Sequence, residues 1–299
     1  MRSVPLRAVF AVAPVFLFAA AAPGSSPPAA ERLPAVETPS AGEVEEVLPE
    51  GARLSGRELY DRFIKNRRRL RSIFQRGRIL SSDPGGNPQR TDFWLHWKDY
   101  RDEHDDAVDG VLSKTLFKVT GPREMRHTGY LYIEHDGEED AQFLYSPHRG
   151  RTSRVSVKGQ NVAGTDFSFD DFLLNLDDIE DAAYERHDDR TIDGVECYVV
   201  EARMKPSARS PYTRALVFLE KDHYVPLVTR YWDDAAVEVK KLTSPDEAIR
   251  EFEGAWLPTE TTVTDLLEGT TSTLYVDELE PNPELDDRMF STSSLEFRP

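Results

Sequence analysis

Apolar positions change period twice along the chain. Ser55-x-x-Glu58 has capping-box spacing, and Leu59, Phe63, Ile64 and Leu70, separated by charged residues, predict an amphipathic helix over 55–70. From Ile73 the period becomes 2. Strands are expected near 73–82, 90–101, 111–120, 129–136, 140–146 and 151–158, joined by turns such as Asp83-Pro84-Gly85-Gly86-Asn87 and Asp136-Gly137. Over 168–176 the helical period returns: Ser168 stands at an N-cap position, and Phe169, Phe172, Leu173 and Leu176 share one face. Strands resume near 182–191, 195–204, 213–220, 225–233, 236–243, 247–252, 256–266 and 270–279, and a helical turn is expected over 283–289.

Short polar turns between successive strands predict antiparallel pairing. Some strands are apolar on both faces, including Ala215-Leu216-Val217-Phe218-Leu219 and Val195 to Val200. Roughly a dozen strands do not stay flat, so the expected fold is mainly β, an antiparallel sheet curled into a barrel or half-barrel with the two helices covering its mouth.

Composition sets the outer limits. The chain has 299 residues, 39% of them hydrophobic, enough for a substantial core, and a formal net charge of -17 that argues against binding nucleic acid. The single cysteine, Cys197, excludes an intrachain disulfide and lies in an apolar strand. Arg2 and Arg7 precede an apolar run from Ala8 to Ala22 with the layout of a secretory signal peptide, and no cysteine follows it for lipidation. The expected organisation is a cleavable signal over 1–22, a flexible Pro/Ala-rich leader over 23–53 and one domain over 54–299, in a soluble, exported, periplasmic protein.

Two basic clusters stand out in this acidic chain. Lys65, Arg67, Arg68, Arg69 and Arg71 on the first helix form either a solvated face or a contact for lipid headgroups. Arg149, Arg151, Arg154 and Lys158 lie where no acidic residue occurs between 141 and 165. They either contact a headgroup or an acidic partner at a cavity rim, or pair with Asp166, Asp170, Asp171, Asp177 and Asp178.

Motifs for enzymatic chemistry are missing. The seven histidines show no His-x-x-x-His or Cys/His ligand spacing, and the Asp102 to Asp106 run lacks the spaced ligands of an EF-hand loop. There is no Gly-x-Ser-x-Gly, phosphate loop or dinucleotide fingerprint, so neither a catalytic residue, a metal site nor a cofactor is expected.

The fragments in order carry a resemblance. Tyr145-x-Pro147, the basic strand, Gly164-Thr165-Asp166 and Phe167-Ser168-Phe169-Asp170-Asp171-Phe172 are followed by Asp193-Gly194-x-x-Cys197-Tyr198 and Tyr212. Lys221-x-x-x-Val225-Pro226, Tyr231-Trp232-Asp233 and Gly254-x-Trp256-x-Pro258 complete the series. The pattern resembles the LolA-like outer membrane lipoprotein-sorting protein family over residues 55–299. That resemblance implies a LolA/LolB-like half-barrel with a helical lid over a hydrophobic cavity. It also implies a periplasmic carrier or chaperone of acylated lipoprotein or phospholipid, working with an inner-membrane lipid-exporting transporter. Cavity-lining candidates are Phe93, Leu95, Trp97, Leu131, Ile133, Phe143, Phe218 and Trp232, and lid candidates are Phe169, Phe172, Leu173 and Leu176. The rival expectation is a non-enzymatic envelope interaction module that binds a transporter or assembly complex.

Overall fold

The structure is a computed structural model that describes residues 54–82, 86–156, 161–168, 171, 179–206, 208 and 210–296. The signal and leader, Lys158 and the lid candidates Phe169, Phe172, Leu173 and Leu176 lie outside the described residues, as do Asp170, Asp177 and Asp178.

Among the described residues the period-2 segments form fifteen strands, thirteen of them in one antiparallel sheet. The first six are β1 (Ser72–Ser82), β2 (Pro88–Asp99), β3 (Val111–Gly121), β4 (Gly129–His135), β5 (Ala141–Ser146) and β6 (Arg151–Arg154). They are followed by β7 (Ala182–Ile192), β8 (Val195–Met204), β9 (Arg214–Glu220), β10 (Pro226–Trp232), β11 (Glu238–Thr243), β12 (Ile249–Phe252), β13 (Ala255–Pro258), β14 (Glu260–Asp265) and β15 (Thr270–Pro281). Helix α1 spans Gly56–Arg67 and α2 spans Thr292–Glu296.

The sheet order is β6-β5-β4-β3-β2-β1-β15-β14-β11-β10-β9-β8-β7. Two meanders are thus joined through β1 and β15, and β6 and β7 remain as open edges. β12 and β13 form a separate hairpin. The expected 256–266 strand is therefore two strands. Pro258 has no N–H for a ladder, and the N–H and Oγ1 of Thr259 both donate to the Ala248 carbonyl, at 2.9 and 2.7 Å, where the chain leaves the hairpin for the main sheet.

Burial separates the two faces. Ile73, Ile79, Phe93, Leu95, Trp97, Phe117, Val119, Tyr130, Tyr132 and Val263 form one core on the inner face, joined by Val162 and Phe167 of the segment that crosses it. A second inner core packs Leu59, Tyr60 and Ile64 of α1 on Tyr198, Val200, Ala202, Ala215, Val217 and Leu219. On the outer face, Leu116, Leu131 and Tyr145 are covered by Phe290 and Leu295. The C-terminus is also held by charge: the buried Lys118 amine donates to the Leu295 carbonyl, and Lys98 reaches Asp287 at 2.7 Å. Cys197 is fully buried, as its apolar strand predicts, and burial pushes its thiol up to about 11.

His96, on the outer face of β2, lies tilted against Phe74 and edge-on to Trp94 at ring separations of 4.9 and 4.8 Å. Burial lowers its pKa from 6.5 to about 4. The unfolded chain takes up a proton near 6.5 while the folded chain resists it, so His96 contributes stability above that pH that is lost as pH falls toward 4. In denaturant titrations from pH 7 to 4, His96→Leu should lose less stability than the parent; parallel pH profiles would contradict this assignment.

Candidate functional site: an open cavity under helix α1

The cavity begins with the placement of α1. Its N-terminus is closed by the capping box: Glu58 N donates to Ser55 Oγ at 3.3 Å, and Ser55 N donates to the Glu58 carboxylate at 2.8 Å. Gly56 lies against the backbone of β7, where a Cβ would come within 2.7 Å of the Glu185 carbonyl carbon. Only glycine allows this approach. At the other end the buried Asn66 side chain makes a two-way bridge to β13, donating to the Trp256 carbonyl at 2.7 Å and accepting from its N–H at 2.9 Å. The helix is thus fixed at both ends, and Tyr60 and Phe63 look into the space beside it.

That space is a cavity of about 860 Å³. One wall is Tyr60, Phe63 and Arg67 of α1; the facing wall is Tyr132 and Glu134 of β4, Gln142 of β5, and Arg154 to Ser156. The floor is Ala215, Val217, Thr229, Tyr231 and Leu242 of β9, β10 and β11. Strands from opposite ends of the sheet therefore border the same space, which shows that the sheet curls into an incomplete barrel. Inner-face alternation produces this lining: Ala215, Val217, Thr229, Tyr231 and Leu242 are laterally paired through the β9–β10–β11 registers.

The polar groups of the wall are held in place. Tyr132 Oη donates to Asp140 at 2.8 Å, and Asp140 also accepts from the His135 N–H at 3.1 Å. Glu134 accepts from Ser113 at 2.6 Å and lies 3.6 Å from Arg101. Burial holds its carboxyl above the usual range, with Arg101 and Ser113 acting in the opposite sense. Asp171 pairs with the buried Lys240 amine and accepts from Ser168 N at 2.7 Å. Asp171 is helical. Behind them Asp166 accepts from Ser272 at 2.6 Å and from Thr270, which anchors the Gly-Thr-Asp segment to β15. The mouth is acidic, with Asp136, Glu138, Glu139, Asp140 and Asp181 against Arg67 and Arg154.

The candidates from sequence fall in different places. Phe93, Leu95 and Trp97 are in the filled inner core. Leu131, Ile133 and Phe143 face the outer cluster under the C-terminus, and Phe218 belongs to a cluster with Cys197, Val228 and Ile249. Trp232 carries Arg214 over its ring at 3.7 Å. None of these eight borders the cavity; their strand neighbours Tyr132, Gln142, Val217 and Tyr231 do. Of the second basic cluster, Arg154 borders it, and Arg149 and Arg151 are exposed on the adjoining turn and edge strand. The basic cluster of α1 is engaged within the fold: Lys65 with Asp61 at 2.7 Å, Arg68 with Asp105 at 3.0 Å, Arg69 with the Gly254 carbonyl at 3.0 Å, and Arg71 with Asp99 at 2.8 Å.

A curled, open antiparallel sheet with a helix on its inner face and a cavity beneath it defines the LolA-like fold. The chain belongs to the family described as "Uncharacterized protein", whose sequence profile matches residues 112–297, more than half of it. A putative outer membrane lipoprotein-sorting protein domain from Vibrio parahaemolyticus superposes with a TM-score of 0.69 at 22% identity, covering 81% of this chain and 98% of that one. A DUF1329 family protein from Desulfovibrio piger gives 0.72 at 22% identity, covering 81% and 99%. A LolA superfamily protein from Nitrosomonas europaea gives 0.60 at 15% identity, again covering 81% and 99%. No curated protein matches the sequence. Among the described residues no helix is long and apolar enough to cross a membrane.

Replacing Asn66 by Ala removes both hydrogen bonds to Trp256 and leaves its part-buried backbone groups without them. The expected loss is about 1–3 kcal/mol in chemical unfolding, against under about 0.5 kcal/mol for Lys65→Ala on the exposed face. Equal effects would show that α1 does not depend on this bridge.

Proposed function

We propose that this protein is a non-enzymatic carrier or chaperone of acylated cargo, lipoprotein or lipid, that holds acyl chains in the cavity under α1 and passes them toward the outer membrane. The observation that carries this reading is the cavity itself. Its volume of about 860 Å³ lies within the roughly 300–1,000 Å³ of small-molecule sites, in a sheet whose two inner cores are otherwise filled. An acyl chain needs no catalytic group. Each buried CH₂ contributes about 0.8 kcal/mol, and Phe63, Val217, Tyr231 and Leu242 provide apolar surface to receive it.

The LolA-like fold supports the same reading, in which the carrier works in the periplasm after export by the apolar N-terminal run. An inner-membrane lipid-exporting transporter is the proposed donor. Arg154 is the proposed contact for a phosphate or carboxylate of the cargo, with Arg149, Arg151 and Lys158 beside it, and the carboxylates at the mouth face a cationic or neutral part. Phe169, Phe172, Leu173 and Leu176 are proposed as the apolar side of a cover that begins where Lys240 holds Asp171.

Thr229 lies on the cavity floor and is 7% exposed. Thr229→Trp should fill the space and weaken uptake of a fluorescent fatty acid by at least about tenfold, with circular dichroism unchanged. Phe169→Asp with Phe172→Asp should do likewise. Full uptake by a folded Thr229→Trp protein would place the chain elsewhere.

A further inference from the structure

The outer face of β7 and β8 carries a cluster that the cavity does not use. Glu185 and His187 are two residues apart on β7 and share a face, and Glu201 of β8 is the direct ladder partner of Glu185. Donor atoms from all three lie within 4.8 Å of one another. His187 Nε2 is 3.4 Å from Glu201 Oε2, and Arg203 approaches the other oxygen.

Two facts make this arrangement costly as a purely structural one. Carboxylates directly opposite on adjacent strands repel, and Arg203 supplies one positive charge against two negative ones. The Glu201 side chain is only 8% exposed, Arg203 pairs with its Oε1, and His187 Nε2, facing Oε2, is a buried atom that makes no hydrogen bond of good geometry. A cation between the three would convert the repulsion into ligation.

We propose that Glu185, His187 and Glu201 form a binding site for a divalent first-row transition ion, with zinc the best fit. One imidazole and two carboxylates are the borderline donor set that such ions accept, and Arg203 would remain as the partner of the second Glu201 oxygen. Zinc–ligand lengths of about 2.0–2.2 Å require donors roughly 3–4 Å apart, which rotation of the exposed Glu185 side chain supplies. The remaining coordination positions face solvent. The site lies on an open edge strand beside the register shift between His187 and Arg190, so the ion would tie β7 to β8 where their ladder is irregular. Linear spacing motifs miss this set because one of its ligands comes from the neighbouring strand.

The test is calorimetric titration of the untagged protein with Zn²⁺, paired with the visible spectrum on Co²⁺ addition. One saturable equivalent is expected, weakened at least about tenfold in His187→Ala and unchanged in His104→Ala, whose imidazole lies beside Glu103 on the exposed surface. Zinc should raise the melting temperature of the parent and not that of His187→Ala. Glu185→Gln, at an exposed position, provides a second variant with little risk to folding. No saturable binding, or equal affinity in the parent and His187→Ala, would overturn the site.

Discussion

The docking of α1 on the inner face of β7, β8 and β9 is the interaction on which the cavity depends. Leu59, Tyr60 and Ile64 are buried there, each contributing about 1.5–3 kcal/mol by the area they remove from water. Gly56 and Asn66 fix where that energy is used: one permits backbone contact with β7, the other bonds the helix to β13. The helix consequently packs over one meander only. The other meander fills its own inner face with Phe93, Phe117, Tyr130 and their neighbours, and the two cores leave a space between them. Among the described residues that space is neither closed by a ladder nor filled by side chains.

Charge is distributed to protect this arrangement. The basic residues that follow α1 are engaged, with Arg71 and Arg101 on the buried Asp99 and Arg101 near Glu134. Removing one partner from such a buried group leaves an uncompensated charge, which costs far more than an exposed pair contributes. Lys240 performs the same service for Asp171 in the cavity wall. The exposed carboxylates of the β4–β5 loop remain at the mouth, in keeping with the charge of -17 on the whole chain.

Much of the fold was legible in the residues. The capping box at Ser55 and Glu58, the strand periodicity, the turn residues and the order of motifs around Gly164-Thr165-Asp166 all lead to a LolA-like half-barrel. The lining of the cavity was far less legible, for a specific reason. Strands apolar on both faces do not reveal which face turns inward, and a choice off by one residue selects the wrong set. Phe143, Phe218 and Trp232 are large and aromatic, yet Gln142, Val217 and Tyr231 border the space. Phe93 and Trp97 do face inward, but in the half of the sheet that is filled. The basic clusters were legible only in part: linear proximity identifies the cations but not the acids that the fold brings to them, such as Asp99 and Asp105 for Arg71 and Arg68.

The carrier reading stands on whether the space beneath α1 takes an acyl chain in the cell. Native mass spectrometry with lipid extraction, applied to the protein purified from its own host, tests that most directly. Near-stoichiometric phospholipid or acylated peptide is the predicted result, and it would name the cargo class at the same time. A protein that arrives empty, and takes up no fluorescent fatty acid afterwards, would contradict the carrier and leave the interaction module in its place.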